Sequence, residues 1–225
     1  MPLTDSVLKL YCGAVLFDMD GTLVDSTICV ERQWHRWASR HGLDGGRILA
    51  MAHGRRNTDT MREVAPHLHI EEEAARFDAE ELEERDGIVA VGGVGALIHA
   101  LHAEEWAVVT SAARRLAEIR LECAGLPIPA VLISAEDVRQ GKPHPEGYLE
   151  AARRLGVAAS QCLVVEDAPA GLQAGRAAGM RVLGVTTTFP ASRLEGAPWV
   201  RDFSAVRLLR SNGGLLIEAR VGQDE

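Results

Sequence analysis

Uninterrupted apolar runs alternate along this chain with stretches in which apolar positions return every three or four residues, and the two patterns divide it into strands and helices. Ala14-Val15-Leu16-Phe17 has no polar alternation and predicts a short buried strand. Val30, Trp34, Trp37, Ala38 and His41 then recur at helical spacing, with Gly42 as the stop. From about 27 to 86 the pattern stays helical, broken at Gly45-Gly46, His53-Gly54 and Pro66 and closing on the mostly acidic run Glu80 to Glu84. No strand signal falls in that region. A glycine-rich stretch from Gly87 to Gly95 leads into a predicted helix from Ala96 to Ala103. Strands are then expected over 107–110, 130–133, 162–165 and 181–185, with helices near 114–124, 145–155 and 170–178 between them. Near the end, Val206 to Leu209 and Leu215 to Ala219 flank Ser211-Asn212-Gly213-Gly214, a hairpin signal with no evident chemistry.

Regular alternation of strand and helix predicts an α/β fold, a doubly wound parallel sheet with helices on both faces. The helical stretch interrupts it just after the first strand. The expected organisation is therefore a discontinuous core, 1–25 with 92–225, and a smaller helical cap over 26–91. Ligands in such sheets bind beyond the C-terminal strand ends, so the insert would hang over that edge.

At 225 residues, 47% hydrophobic and 25% charged, the chain can bury one sizeable core. Its net charge of -8 gives no basic footprint for nucleic acid, and an anionic substrate would need local positive charge or a metal. Cys12, Cys29, Cys123 and Cys162 stand far apart without C-x-x-C spacing, which suggests reduced thiols rather than zinc or disulfides. With no leader pattern and no membrane-length apolar run, the expectation is a soluble cytoplasmic protein with no membrane partner. Oligomeric state is left open, a monomer being compatible.

The chemistry-bearing residues cluster just after predicted strands. Asp18 and Asp20 follow the first one, two residues apart, so both carboxylates project the same way while Met19 turns aside. Gly21-Thr22 can turn the chain sharply and leave amides facing an anion. Ser111 and Ala112 follow the strand over 107–110, where Ser111 is either a phosphate ligand or an ordinary helix cap. Lys142 stands between Gly141 and Pro143 in a rigid turn, either neutralising a phosphate or simply solvated. Glu166-Asp167 follow another apolar strand, and Asp167 can serve as a metal ligand, a helix cap or both.

Taken together, FDMDGTLVDS (17–26), VVTSA (108–112), GKPHP (141–145) and VVEDAPAGLQAG (164–175) resemble the four motifs of haloacid-dehalogenase-like (HAD) phosphohydrolases. More narrowly the chain resembles the sugar-, glycerol- and 2-deoxyglucose-6-phosphate phosphatases, with the tryptophan of their first cap helix and an HG-x-R segment, here His53-Gly54-Arg55-Arg56. The resemblance implies Asp18 as nucleophile, Asp20 as acid and base, and Mg2+ held by Asp18, the Asp20 carbonyl and Asp167, with Glu166 orienting a water on the metal. It implies Thr22, Ser111, Ala112 and Lys142 at the phosphoryl group and His53, Gly54 and Arg56 at the substrate, a small phosphorylated metabolite. Trp34 and Trp37 read as cap core rather than a sugar platform.

Rival readings divide on single positions. The β-phosphoglucomutase branch carries a histidine twelve residues after the nucleophile, where this chain has Val30. A dehalogenase would have no leaving alkoxide to protonate, and Asp20 disfavours it. A non-catalytic phosphate-binding module would not need all four motifs. A dinucleotide-binding oxidoreductase is suggested by Gly93-Val94-Gly95 but lacks the third glycine at Ile98 and a preceding strand.

Overall fold

The computed structural model describes residues 7–211 and 214–222. In chain order its strands and helices are β1 (Val7–Cys12), β2 (Ala14–Phe17), β3 (Val24–Asp25), α1 (Thr27–His41), α2 (Gly45–Ala52), α3 (Asn57–Val64), α4 (Ile70–Glu83), β4 (Val89–Ala90), α5 (Val94–Ala100), β5 (Trp106–Val109), α6 (Arg114–Cys123), β6 (Leu132–Ile133), α7 (Glu146–Leu155), β7 (Cys162–Glu166), α8 (Pro169–Ala177), β8 (Arg181–Val185), β9 (Trp199–Val200), β10 (Val206–Ser211) and β11 (Gly214–Arg220).

Six strands form one parallel sheet in the order β6-β5-β2-β7-β8-β9. The expected α/β architecture is the one observed. Strand β2 lies inside this sheet and is buried throughout, which explains its unbroken apolar sequence. Alternate side chains leave it for opposite faces. Val15 and Phe17 join Leu97, Ala117 and Leu121 of α5 and α6, whereas Ala14 and Leu16 join Tyr148, Ala151 and Leu172 of α7 and α8.

Helices α1 to α4 enclose a hydrophobic cluster of their own around Trp34, Trp37, Ile48, Met61 and Phe77. Trp34 packs 4.6 Å from the Phe77 ring and 5.6 Å from Trp37, centroid to centroid, so both tryptophans are core, as their helical spacing implies. The chain enters and leaves this unit through β3 and β4, which pair antiparallel with Val24 opposite Ala90 and Asp25 opposite Val89.

Four strands, β1, β3, β4 and β9, were not expected from the sequence. Strand β1 carries period-two burial at Leu8, Leu10 and Cys12, and joins β11 and β10 in a separate antiparallel sheet. The two-residue strands β3, β4 and β9 are too short to leave a periodic signal. The expected C-terminal hairpin forms, although Asn212 and Gly213 of its turn lie outside the described residues. Gly93 has φ +79° and lies so close to Phe203 and Ser204 that a Cβ there would stand 2.5 Å from backbone, which accounts for this glycine by packing rather than by a dinucleotide. Cys12, Cys29, Cys123 and Cys162 are all unpaired thiols. Among the described residues no helix is long and apolar enough to cross a membrane.

Candidate active site

Asp18 follows β2, and its amide donates to the Val165 carbonyl on β7 at 3.0 Å, so the strand ends are locked side by side. The next turn is tight. The amides of Thr22, Leu23 and Val24 all donate to the Met19 carbonyl, and Gly21 adopts φ +81°, where a Cβ would stand 2.0 Å from the Asp167 carboxylate. Gly21 is thus required both for its backbone angle and for the approach of Asp167. The Thr22 amide is spent within this turn, and the Thr22 hydroxyl donates to Asp167 at 3.4 Å.

Lys142 is buried rather than solvated. Its ammonium donates to Asp18 and, at 2.6 Å, to Glu166, with the Tyr148 ring centroid 5.4 Å away. Glu166 is engaged through both oxygens: Oε1 also accepts from the Tyr148 hydroxyl at 2.9 Å, and Oε2 accepts from the amides of Asp167 and Ala168 at 3.1 and 3.2 Å. The acid facing the start of α8 is therefore Glu166. Asp167 does not cap the helix and is left to the site.

Ligand oxygens of Asp18, Glu166 and Asp167 come within 4.8 Å of one another, and all three residues are buried. Burial first, then the charge of Glu166, pushes the Asp18 carboxyl up against the opposing pull of Lys142. Burial followed by the charges of Asp18 and Glu166 pushes Asp167 up likewise. Three buried carboxylates face one ammonium, an imbalance that a hard divalent cation with oxygen preference would offset. The donor set fits Mg2+, with Glu166 already committed and Asp18 and Asp167 carrying the available oxygens.

Helix α6 begins at Arg114 with Ala113 as its cap residue, so Ser111 is not a helix cap. Its hydroxyl donates to the Gly54 carbonyl at 3.0 Å, and the Ala112 amide donates to the Thr110 hydroxyl at 3.1 Å. Asp18, Asp20, Ser111 and Ala112 line one cleft with His53, Gly54, Trp34 and Val30 from the helical unit above. Gly54 has φ +76°, and a Cβ there would stand 2.8 Å from that of Ala168, so only glycine permits this approach. His53 is pushed down in basicity by burial and packs edge-on 5.8 Å from the Phe189 ring. Arg56 points elsewhere in this structure. Its guanidinium donates to the carbonyls of Val138 and Arg139 at 2.8 and 3.2 Å, tying the helical unit to the loop before Lys142.

Several residues of the site were not foreseen. Ser26 donates to Asp20 at 2.5 Å, and Arg120 donates to Asp20 and to Glu81 at 2.8 Å each. Arg120 follows Leu116 by four residues on the buried stripe of α6, and a charge on such a stripe was the available signal. Tyr148 offered none, since an aromatic on an apolar helix face reads as core.

The packing beneath Glu166 gives a direct test. A Cβ on Gly171 would stand 1.7 Å from Glu166 Oε1, and that carboxylate is held by Lys142, Tyr148 and two amides. Gly171→Ala is expected to lose about 1–3 kcal/mol by overpacking and to lower turnover, read by thermal melting and phosphate release. An unchanged melting temperature would mean Glu166 moves freely.

A parallel sheet whose central strand ends in paired aspartates, facing a buried lysine and a third carboxylate beneath a helical insert, defines a class of hydrolases with an acidic cluster suited to a divalent cation. The family model "haloacid dehalogenase-like hydrolase" matches residues 12–179, and the chain belongs to that family. It is 43% identical to hexitol phosphatase A of Escherichia coli (strain K12) over 82% of this chain and 88% of that one. It is 37% identical to glycerol-1-phosphate phosphohydrolase 2 of Saccharomyces cerevisiae over 87% of this chain and 83% of that one. A hydrolase from Pseudomonas syringae superposes with a TM-score of 0.74 at 26% identity, covering 84% of this chain and 92% of that chain. A β-phosphoglucomutase from Clostridium difficile reaches 0.75 at 20% identity over 85% and 91% of the two chains, a likeness of fold alone.

Proposed function

We propose that this chain is a Mg2+-dependent phosphomonoesterase that hydrolyses small sugar or polyol phosphates through an aspartyl-phosphate on Asp18, with residues 26–91 acting as a cap. The observation that carries the reading is the convergence of Asp18, Lys142 and Asp167 on one buried point, with Asp20 and Ser111 lining the cleft above it.

Asp18 attacks phosphorus, forming its P–O bond as the ester P–O bond breaks, and Asp20 gives its proton to the departing alkoxide. Water then attacks phosphorus, Asp20 takes a proton from it, and inorganic phosphate leaves with the Asp18 carboxylate restored. Even at an effective dielectric of about 20, two unit charges about 4 Å apart repel by roughly 4 kcal/mol, so a carboxylate meeting a phosphate dianion needs compensating charge. Lys142 supplies part of it from this chain. Asp18, Asp167 and the Asp20 carbonyl would hold Mg2+, which would supply charge neutralisation of the phosphoryl oxygens. Ser111 turns its hydroxyl from Gly54 to a phosphoryl oxygen when the cap lifts. Val30 lines the cleft at the position where the β-phosphoglucomutase branch carries a histidine, which favours hydrolysis over return of the phosphoryl group to a sugar.

The cleft holds about 60 Å³, space for on the order of five waters, so movement of the helical unit would make room for a phosphorylated polyol. The β3–β4 pair is placed to act as the hinge.

The test is a panel with Mg2+: glycerol-phosphate, hexitol phosphates, 2-deoxyglucose-6-phosphate, hexose-6-phosphates, β-glucose-1-phosphate and phosphoglycolate. Phosphate release from sugar or polyol esters, abolished by chelation, is expected. A sugar-phosphate isomer as product instead of free phosphate would sink the hydrolase reading.

A further inference from the structure

Arg120 reaches the cleft from the last turn of α6, and its side chain is nearly inaccessible. One guanidinium nitrogen donates to Asp20 Oδ2 and the other to Glu81 Oε1, both at 2.8 Å. Glu81 belongs to α4 of the helical unit and is itself buried. Its second oxygen accepts from the Asn57 amide at 2.9 Å, which holds it from the far side. The remaining oxygen of Asp20 accepts from Ser26 at 2.5 Å. The Asp20 carboxyl is therefore held at both oxygens, one by a cation that also bonds the helical unit and the other by a hydroxyl that donates to the carboxylate and can accept from the protonated acid.

An arginine taken out of water is costly unless its partners are well placed, and an apolar side chain at this point of α6 would serve packing alone at least as well. Arg120 Nε is buried without a hydrogen-bond partner, so the guanidinium is oriented by the two carboxylates rather than by full satisfaction of its donors. The arrangement links one carboxylate of the core to one of the helical unit. Moving the helical unit away would take Glu81 from Arg120 and leave Asp20 as its one carboxylate partner among those named here.

We propose that Arg120 is a positioning residue for Asp20, holding that carboxylate toward the leaving oxygen only when Glu81 of the helical unit is docked, so that proton transfer to the leaving group is tied to closure over the substrate. This rests on the acid/base reading of Asp20 given above.

The experiment compares kcat/KM for glycerol-phosphate and for p-nitrophenyl phosphate, because this ratio counts only steps up to departure of the leaving group. An alkoxide needs a proton to leave and a nitrophenolate does not. Arg120→Met is expected to lower the value for glycerol-phosphate by about 100-fold, and that for the aryl ester by no more than about a tenth of that factor. Glu81→Gln is expected to shift the ratio the same way by less. Arg120→Lys, which keeps the charge but reaches one carboxylate, carries the same comparison should the methionine variant fail to fold. Equal losses on both esters would overturn the proposal, as would a raised KM for glycerol-phosphate at unchanged kcat, which would make Arg120 a substrate contact. Asp20→Asn separates the two readings: if it fails to discriminate between the esters, the acid/base reading falls and takes the proposal with it. If it discriminates and Arg120→Met does not, only the proposal falls.

Discussion

Asp18→Asn is expected to abolish phosphate release, lowering kcat by about 10⁴-fold or more, while leaving a protein that melts no lower than the parent. The two halves of that outcome come from one observation. Asp18 both pairs with Lys142 and lines the cleft, so under the proposed mechanism replacing its carboxylate oxygen removes the nucleophile. Yet the same carboxylate is one of three buried in a cluster that holds a single ammonium, and burial together with Glu166 already pushes its proton affinity up. Removing one negative charge there relieves repulsion, and Lys142 keeps Glu166 as a partner at 2.6 Å. The variant should also show a smaller rise in melting temperature on adding Mg2+, because a ligand that binds only the folded state stabilises it in proportion to its occupancy. Retention of more than about a hundredth of the parent kcat would remove Asp18 as nucleophile.

How much of this was legible beforehand follows from how each residue's role is encoded. The parallel strands were readable because a strand buried on both faces must be apolar throughout, as Leu163-Val164-Val165 is, and the paired acids at the ends of β2 and β7 were readable because acids have no reason to end such a run. Lys142 and Asp167 belonged to motifs whose order along the chain pointed to one edge of the sheet. The roles that escaped are those decided by three-dimensional approach. Arg56 sits in the expected segment, but its direction is set by carbonyls of Val138 and Arg139, more than eighty residues away in sequence. Arg120, Glu81 and Asn57 lie on three different helices, and although Glu81 continues the buried stripe of Ile70, Ala74 and Phe77 on α4, no local pattern shows that it meets Arg120. Strand β1 was overlooked for a different reason. Its alternation is clear, but its partner β11 lies at the opposite end of the chain.

Lys142→Met should have the largest effect on stability. Methionine fills much of the same volume with no charge, so the loss isolates electrostatics rather than a cavity. Without the ammonium, Asp18 and Glu166 face each other in a buried site, and breaking such a pair by removing one partner typically costs about 3–5 kcal/mol. For a chain of this size that corresponds to a fall in melting temperature of about 10 °C. Activity should vanish with it, because nothing then screens the approach of a phosphate dianion to Asp18. The origin of the loss can be checked with a second substitution. Glu166→Gln removes a buried negative charge while its amide oxygen still accepts from Asp167 and Ala168, so the Lys142→Met, Glu166→Gln double variant should be more stable than the sum of the single losses by about 0.5–3 kcal/mol. Mg2+ should restore part of the stability of Lys142→Met and none of its turnover, since a cation relieves the carboxylates whether or not the phosphoryl site is complete. Additive losses in the double variant, or a melting temperature indifferent to Mg2+, would place the effect of Lys142 in packing against Tyr148 rather than in the charge balance of the site.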